Sequence, residues 1–126
     1  MTGEGRGSSV FDFDHDGRMD VVAAQAEGPA RLFRNRTAIP GWTVTLRGGK
    51  RNPAAIGAVV QAESGGASGA AHAVHAGSGW WSQDSPRVLL TGGRPEAVRV
   101  RWPGGRETRT PWPGDRRELE IVEPEN

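Results

Sequence analysis

Trp42, Val44 and Leu46 alternate with Thr43, Thr45 and Arg47, and the same period-two pattern returns at Val98, Val100 and Trp102 and at Leu119 and Ile121. Side chains that alternate in this way put one apolar row against a core and one polar row in water, which is the signature of a half-buried strand. No segment shows the 3.6-residue periodicity of an amphipathic helix. Nineteen glycines and nine prolines in 126 residues, with 35% hydrophobic residues, also favour short strands and frequent turns. The pattern predicts an all-β chain with strands near 18–24, 30–35, 42–48, 56–63, 71–76, 87–91, 97–102, 106–110 and 117–122. Pro103-Gly104-Gly105 has the residues of a short hairpin loop, and Ser64 to Gly69 reads as a flexible turn.

A composition seam at Thr37–Gly41 divides the chain into 1–36 and 37–126. Up to Arg36 there are five arginines against six acids, and beyond it eleven cations against nine acids; with a net charge of +1, no strong field points to nucleic acid or membrane. Without cysteine there are no disulfides, thiolates or zinc–thiolate sites. No run approaches the ~18 apolar residues of a spanning helix, so membrane insertion is not expected. The first ten residues lack an apolar h-region, so a signal peptide is not expected within them.

Asp12 to Asp20, DFDHDGRMD, places four carboxylates in nine residues. Counting Asp12 as position 1, Asp14 and Asp16 fall at 3 and 5, Gly17 at 6, Arg18 at 7 and Asp20 at 9. A glycine at 6 permits the sharp turn that lets the side chains at 1, 3 and 5 converge. The carbonyl of Arg18 would add an uncharged oxygen. Hard oxygen donors on a flexible loop suit Ca²⁺ better than Mg²⁺, and a divalent cation reverses the mutual repulsion of the carboxylates. An EF-hand is not expected: its position 12 would be Ala23, and a strand-like run follows the loop. His15, between two of the acids, is expected to point outward.

The segment from Ser8 to Arg36 resembles the end of an FG-GAP/VCBS repeat, the calcium-loop blade of integrin-like β-propellers. The remainder resembles the ASPIC/UnbV domain of the cartilage acidic protein-like family, through Trp42 to Leu46, Arg51-Asn52, Ile56-Gly57-Ala58, Gly77 to Trp80, Ser82-Gln83 and Val100 to Gly105. This resemblance implies a partial propeller-blade hairpin with a Ca²⁺ loop over 1–36, followed over 37–126 by a β-sandwich or barrel-like domain. It further implies a secreted or cell-envelope setting, upstream propeller repeats in a longer parent chain, and Asp12, Asp14, Asp16, Asp20 and the Arg18 carbonyl as metal ligands. It implies a fold and a context rather than a reaction. This chain departs from the family pattern at Arg51, where Ser is usual, and at Thr91-Gly92-Gly93, where Gly-Leu-Gly is usual.

Other residues offer weaker chemistry. His72 and His75, three apart on a strand, face opposite sides. Ser78, Ser82 and Ser85 lack a nucleophile-elbow pattern. Asp84 and Glu96 are not placed in any cleft by the sequence. Gly77-Ser78-Gly79 is not a phosphate loop. Trp80 and Trp81 are adjacent, so one of the two would face outward beside Gln83 and could stack on a sugar ring. Trp42 and Trp102 read as core, and Trp112 as a lid over a sheet edge or part of a turn. Arg99, Arg101, Arg106 and Arg109 could line one hairpin face, with Glu107, Glu118 and Glu120 neutralising it. Nucleic-acid binding would call for a more basic domain with interleaved aromatics. The sequence therefore leads to a non-enzymatic, calcium-binding module that engages a protein or a glycan. The alternatives are a carbohydrate-binding module using Trp80 and Trp81, and a nucleic-acid-binding β domain.

Overall fold

The computed structural model describes residues 5–77 and 87–125. It is all-β: ten strands in three sheets, with no helix and no closed barrel among the described residues. The chain divides into two compact units, Met1–Pro40 with Ala76–Ser85, and Gly41–His75 with Pro86–Asn126. Among the described residues no helix is long and apolar enough to cross a membrane.

The first unit is an antiparallel meander of β1 (Gly5–Phe11), β2 (Asp20–Gln25) and β3 (Gly28–Phe33), in the order β1-β2-β3. The acidic segment is the whole β1–β2 connection. β1 was not expected, because Gly-Arg-Gly-Ser-Ser carries no apolar alternation. Backbone pairing with β2, from Gly5↔Gln25 to Phe11↔Asp20, makes it a strand. Cross-strand rows such as Val10, Val21 and Phe33 are set by this register.

The second unit is a sandwich of two sheets. One contains β4 (Trp42–Arg47), β7 (Val88–Leu90) and β10 (Glu118–Val122), in the order β10-β4-β7; β10 runs parallel to β4, and β7 antiparallel to it. The other contains β5 (Val59–Ser64), β6 (Ala67–Ala73), β8 (Ala97–Arg101) and β9 (Glu107–Pro111), in the antiparallel order β6-β5-β8-β9. The alternating rows meet between them. Trp42, Val44, Leu46, Val88, Leu90 and Ile121 of the first sheet join Val60, Val98 and Val100 of the second in one buried cluster with Trp102 and Trp112. Each fully buried valine contributes on the order of 1.5–3 kcal/mol, so this shared cluster is what holds the sheets face to face.

Three expectations need adjusting. Ile56 and Gly57 do not begin a strand: Ala55 (φ 52°) and Gly57 (φ 89°) turn the chain, Asn52 clasps Ile56 through two hydrogen bonds of 2.9 and 3.0 Å, and β5 begins at Val59. Ser64 to Gly69 is not a long flexible turn. Gly65 (φ 58°) and Gly66 (φ 78°) form a two-residue hairpin loop and β6 starts at Ala67; positive φ at both central residues is what matches such a loop to the strand twist. Trp112 is no lid. It is 5% exposed, stands edge-on to Trp42 with ring centroids 5.6 Å apart, and donates its indole N–H to the Arg116 carbonyl at 2.6 Å.

Candidate functional site

The acidic connection folds on itself through its own carboxylates. Asp12 accepts the N–H groups of Asp16 (3.0 Å) and Gly17 (2.9 Å). These bonds close the turn for which Gly17 takes φ 79°, and His15 beside it holds φ 58° with an exposed side chain. Asp20, fully buried at the head of β2, accepts Phe13 N–H on one oxygen (3.0 Å) and Asn35 N–H on the other (2.7 Å). The Asn35 side chain in turn accepts the N–H groups of Thr37 (3.2 Å) and Ala38 (3.1 Å). Phe11 and Phe13 meet edge to face, 6.0 Å apart, at the end of β1.

This scaffold brings one carboxylate oxygen from each of Asp12, Asp14 and Asp20 to within 4.8 Å of one another. Asp16 is not part of that group. Its carboxylate takes the Arg18 guanidinium at 2.9 Å and lies 3.7 Å from that of Arg34, while Arg34 also pairs with Asp14. Burial acts to raise the Asp16 pKa, but the side-chain and backbone hydrogen bonds of Arg18, with the charges of Arg18 and Arg34, outweigh it and lower the pKa. Arg18 further anchors the loop by donating Nε–H to the Ala38 carbonyl at 2.6 Å. Arg34 and Asn35, just beyond β3, are functional neighbours that sequence spacing does not reveal. They lie 15 to 20 residues from the acids they meet, and only the β1-β2-β3 fold brings them there.

All three converging groups are hard oxygen donors, and an ionised carboxylate has roughly four lone-pair sites. Asp12 and Asp20 can therefore keep their amide partners and still offer an oxygen to a cation. The donor set fits Ca²⁺. Asp16 would join only by turning from the two guanidinium groups.

Elsewhere, Trp80, Trp81, Gln83 and Asp84 lie outside the described residues, as do Ser78, Ser82 and Ser85. His72 and His75 join no acidic or histidine cluster among the described residues. Arg99 and Arg109, directly opposite on β8 and β9, are neutralised by Glu63 of β5 and not by the acids expected to do so. Glu118 and Glu120 pair instead with Arg87 and Arg47, while Arg106 donates to the Pro124 carbonyl. Only Glu107 faces the row as expected, opposite Arg101.

A recognised sequence family covers most of the second unit, including its Pro103-Gly104-Gly105 hairpin. The family model described as ASPIC and UnbV matches residues 48–126. The chain belongs to the ASPIC and UnbV family. No curated protein matches it. Within this ASPIC and UnbV chain the acidic loop precedes the matched region, so the loop's chemistry rests on its own geometry.

Proposed function

We propose that this chain is a non-enzymatic, calcium-binding extracellular or envelope module that mediates interaction with a protein or a glycan. The observation that carries the reading is the approach of Asp12, Asp14 and Asp20 oxygens to within 4.8 Å on a loop closed by Gly17. Three anions held so close favour a divalent cation among them. In this reading Asp12, Asp14 and Asp20 hold the ion, the Arg18 carbonyl and Asp16 complete its shell, and the first unit is the end of an FG-GAP/VCBS-type repeat that continues upstream propeller repeats. The ion is structural: it would fix the β1–β2 connection and leave the sandwich as the recognition platform. An affinity of roughly 10⁻⁴–10⁻³ M suits an extracellular module.

Calorimetry and thermal melts in Ca²⁺ and in EDTA test the reading. Millimolar Ca²⁺ is expected to bind with about one-to-one stoichiometry and to raise the melting temperature, and Asp12→Ala and Asp14→Ala to abolish both effects. Absence of binding heat and of a melting shift at millimolar Ca²⁺ overturns it.

A further inference from the structure

We propose that the open face of the four-stranded sheet carries a subsite for a neutral sugar ring, recognised through a vicinal diol. The inference rests on the reading that this module binds a glycan, and it places the contact in the second unit. The register sets Gln61, Arg99 and Arg109 in one cross-strand row, with Glu63 beside them facing Ser68. Two arginines directly opposite repel each other. Here one carboxylate separates them: Glu63 Oε1 takes Nε (2.9 Å) and Nη2 (2.6 Å) of Arg99, and Oε2 takes Nε of Arg109 (2.6 Å).

That arrangement fixes two flexible side chains without exhausting them. A guanidinium has five N–H donors, and Glu63 engages two on Arg99 and one on Arg109. The arginine side chains remain 45% and 57% exposed, whereas that of Glu63 is 13% exposed. Both arginines, with Glu63, line a cavity of about 170 Å³ whose rim also includes Glu96, Ser68 and Gly66.

Three properties of the cavity select the ligand class. Its two arginines and two glutamates cancel, so a simple anion or cation gains little from the field. Its groups are planar, two-pronged donors and acceptors, matching adjacent hydroxyls that each donate and accept. The volume, below the roughly 300–1,000 Å³ of drug-sized sites, suits one ring, and Gly66 supplies a wall without a side chain.

The experiment follows the Arg99 and Arg109 Nε–H signals by NMR during titration of the full chain. The probes are methyl α-D-mannopyranoside, methyl β-D-glucopyranoside and methyl β-D-galactopyranoside, with tetrahydropyran-2-methanol as a ring lacking the diol. Saturable millimolar shifts from at least one glycoside and none from the diol-free ring are expected. Glu96→Gln, at an exposed position, should weaken binding several-fold with the melting temperature unchanged, and Arg109→Lys should do so while keeping the charge. Binding should persist in EDTA and in Asp14→Ala, so failure of the calcium reading leaves this one standing, and the reverse. No saturation by any glycoside at hundred-millimolar concentration overturns the proposal. So does saturation by inorganic phosphate, acetate or glycine in place of the sugars.

Discussion

The buried carboxylate of Asp20 accepts the backbone N–H of Asn35 at 2.7 Å, tying the head of β2 to the chain just beyond β3. Its other oxygen holds the N–H of Phe13 inside the acidic connection. Asp20 is therefore a structural group whether or not a cation is present. Asp20→Ala removes the acceptor from two amides, at about 1–3 kcal/mol for each donor left unsatisfied. In EDTA, amide exchange at Phe13 and Asn35 should quicken markedly in Asp20→Ala and stay near wild type in Asp14→Ala. Equal exchange in the two variants would show that the pair does not bear the connection.

Arg34 occupies the position of a resident counter-ion. It pairs with Asp14 and approaches Asp16 at 3.7 Å, with its side chain 49% exposed. A divalent cation entering beside Asp14 must share that carboxylate with a positive guanidinium. With the half-exposed side chain screened as in bulk water, such a repulsion is on the order of 1 kcal/mol, or about fivefold in affinity. Arg34→Ala is expected to tighten Ca²⁺ by about that factor in calorimetry, and Arg34→Lys to tighten it less. A weaker affinity in Arg34→Ala would identify the arginine as a support of the loop.

Glu63 should give the second unit an acid-sensitive element. The hydrogen bond from Arg109 is the largest influence on its carboxyl; partial burial acts the other way, and the Arg99 hydrogen bond with both arginine charges completes a net lowering of the pKa. A carboxyl whose folded pKa lies below its unfolded value stabilises the fold fully above the unfolded value, and that contribution fades as pH falls through the folded one. Stability should therefore decline on acidification below the ordinary glutamate range. Glu63→Gln should be less stable than wild type at neutral pH and show a shallower decline. Parallel pH profiles would mean that the two arginines gain nothing from the carboxylate.

The sequence makes visible what alternation encodes. β4, β8 and β10 lie within a residue of their expected positions, because each has a period-two apolar row with a core to face. β1 is not visible, since its strand character comes from pairing with β2 and not from its own side chains. The turn at Gly65 and Gly66 is misjudged for a related reason: a run of small residues looks slack until positive φ at both glycines makes it tight. In the acidic connection the spacing around Gly17 points to Asp12, Asp14 and Asp16 as the converging set, whereas the third member is Asp20 at the head of β2, and Asp16 turns to Arg18 and to Arg34, a partner 18 residues away. Glu63 is similar. The arginine row reads plainly from β8 and β9, but the acid that unites it belongs to β5 and reaches it only through sheet order.

Trp112 follows β9 directly, and its flanking prolines disguise a core residue as a turn residue. Its ring meets Trp42 edge-on at 82°, and the Arg117 guanidinium lies 4.7 Å from the centre of the Trp42 ring on β4. Trp112 thus links the end of the four-stranded sheet to the strand at the centre of the other sheet. Truncating a buried tryptophan costs about 3–5 kcal/mol, and an aromatic pair adds about 0.5–1.5 kcal/mol beyond burial. Trp112→Ala should lower the stability of the second unit by about that larger amount in denaturant titration. Trp112→Phe keeps the edge-on packing but loses the indole N–H to the Arg116 carbonyl, and should fall between wild type and Ala. If Trp112→Ala costs less than about 1 kcal/mol, as surface substitutions do, the tryptophan would after all be a cover over the sheet edge and the sandwich would close without it.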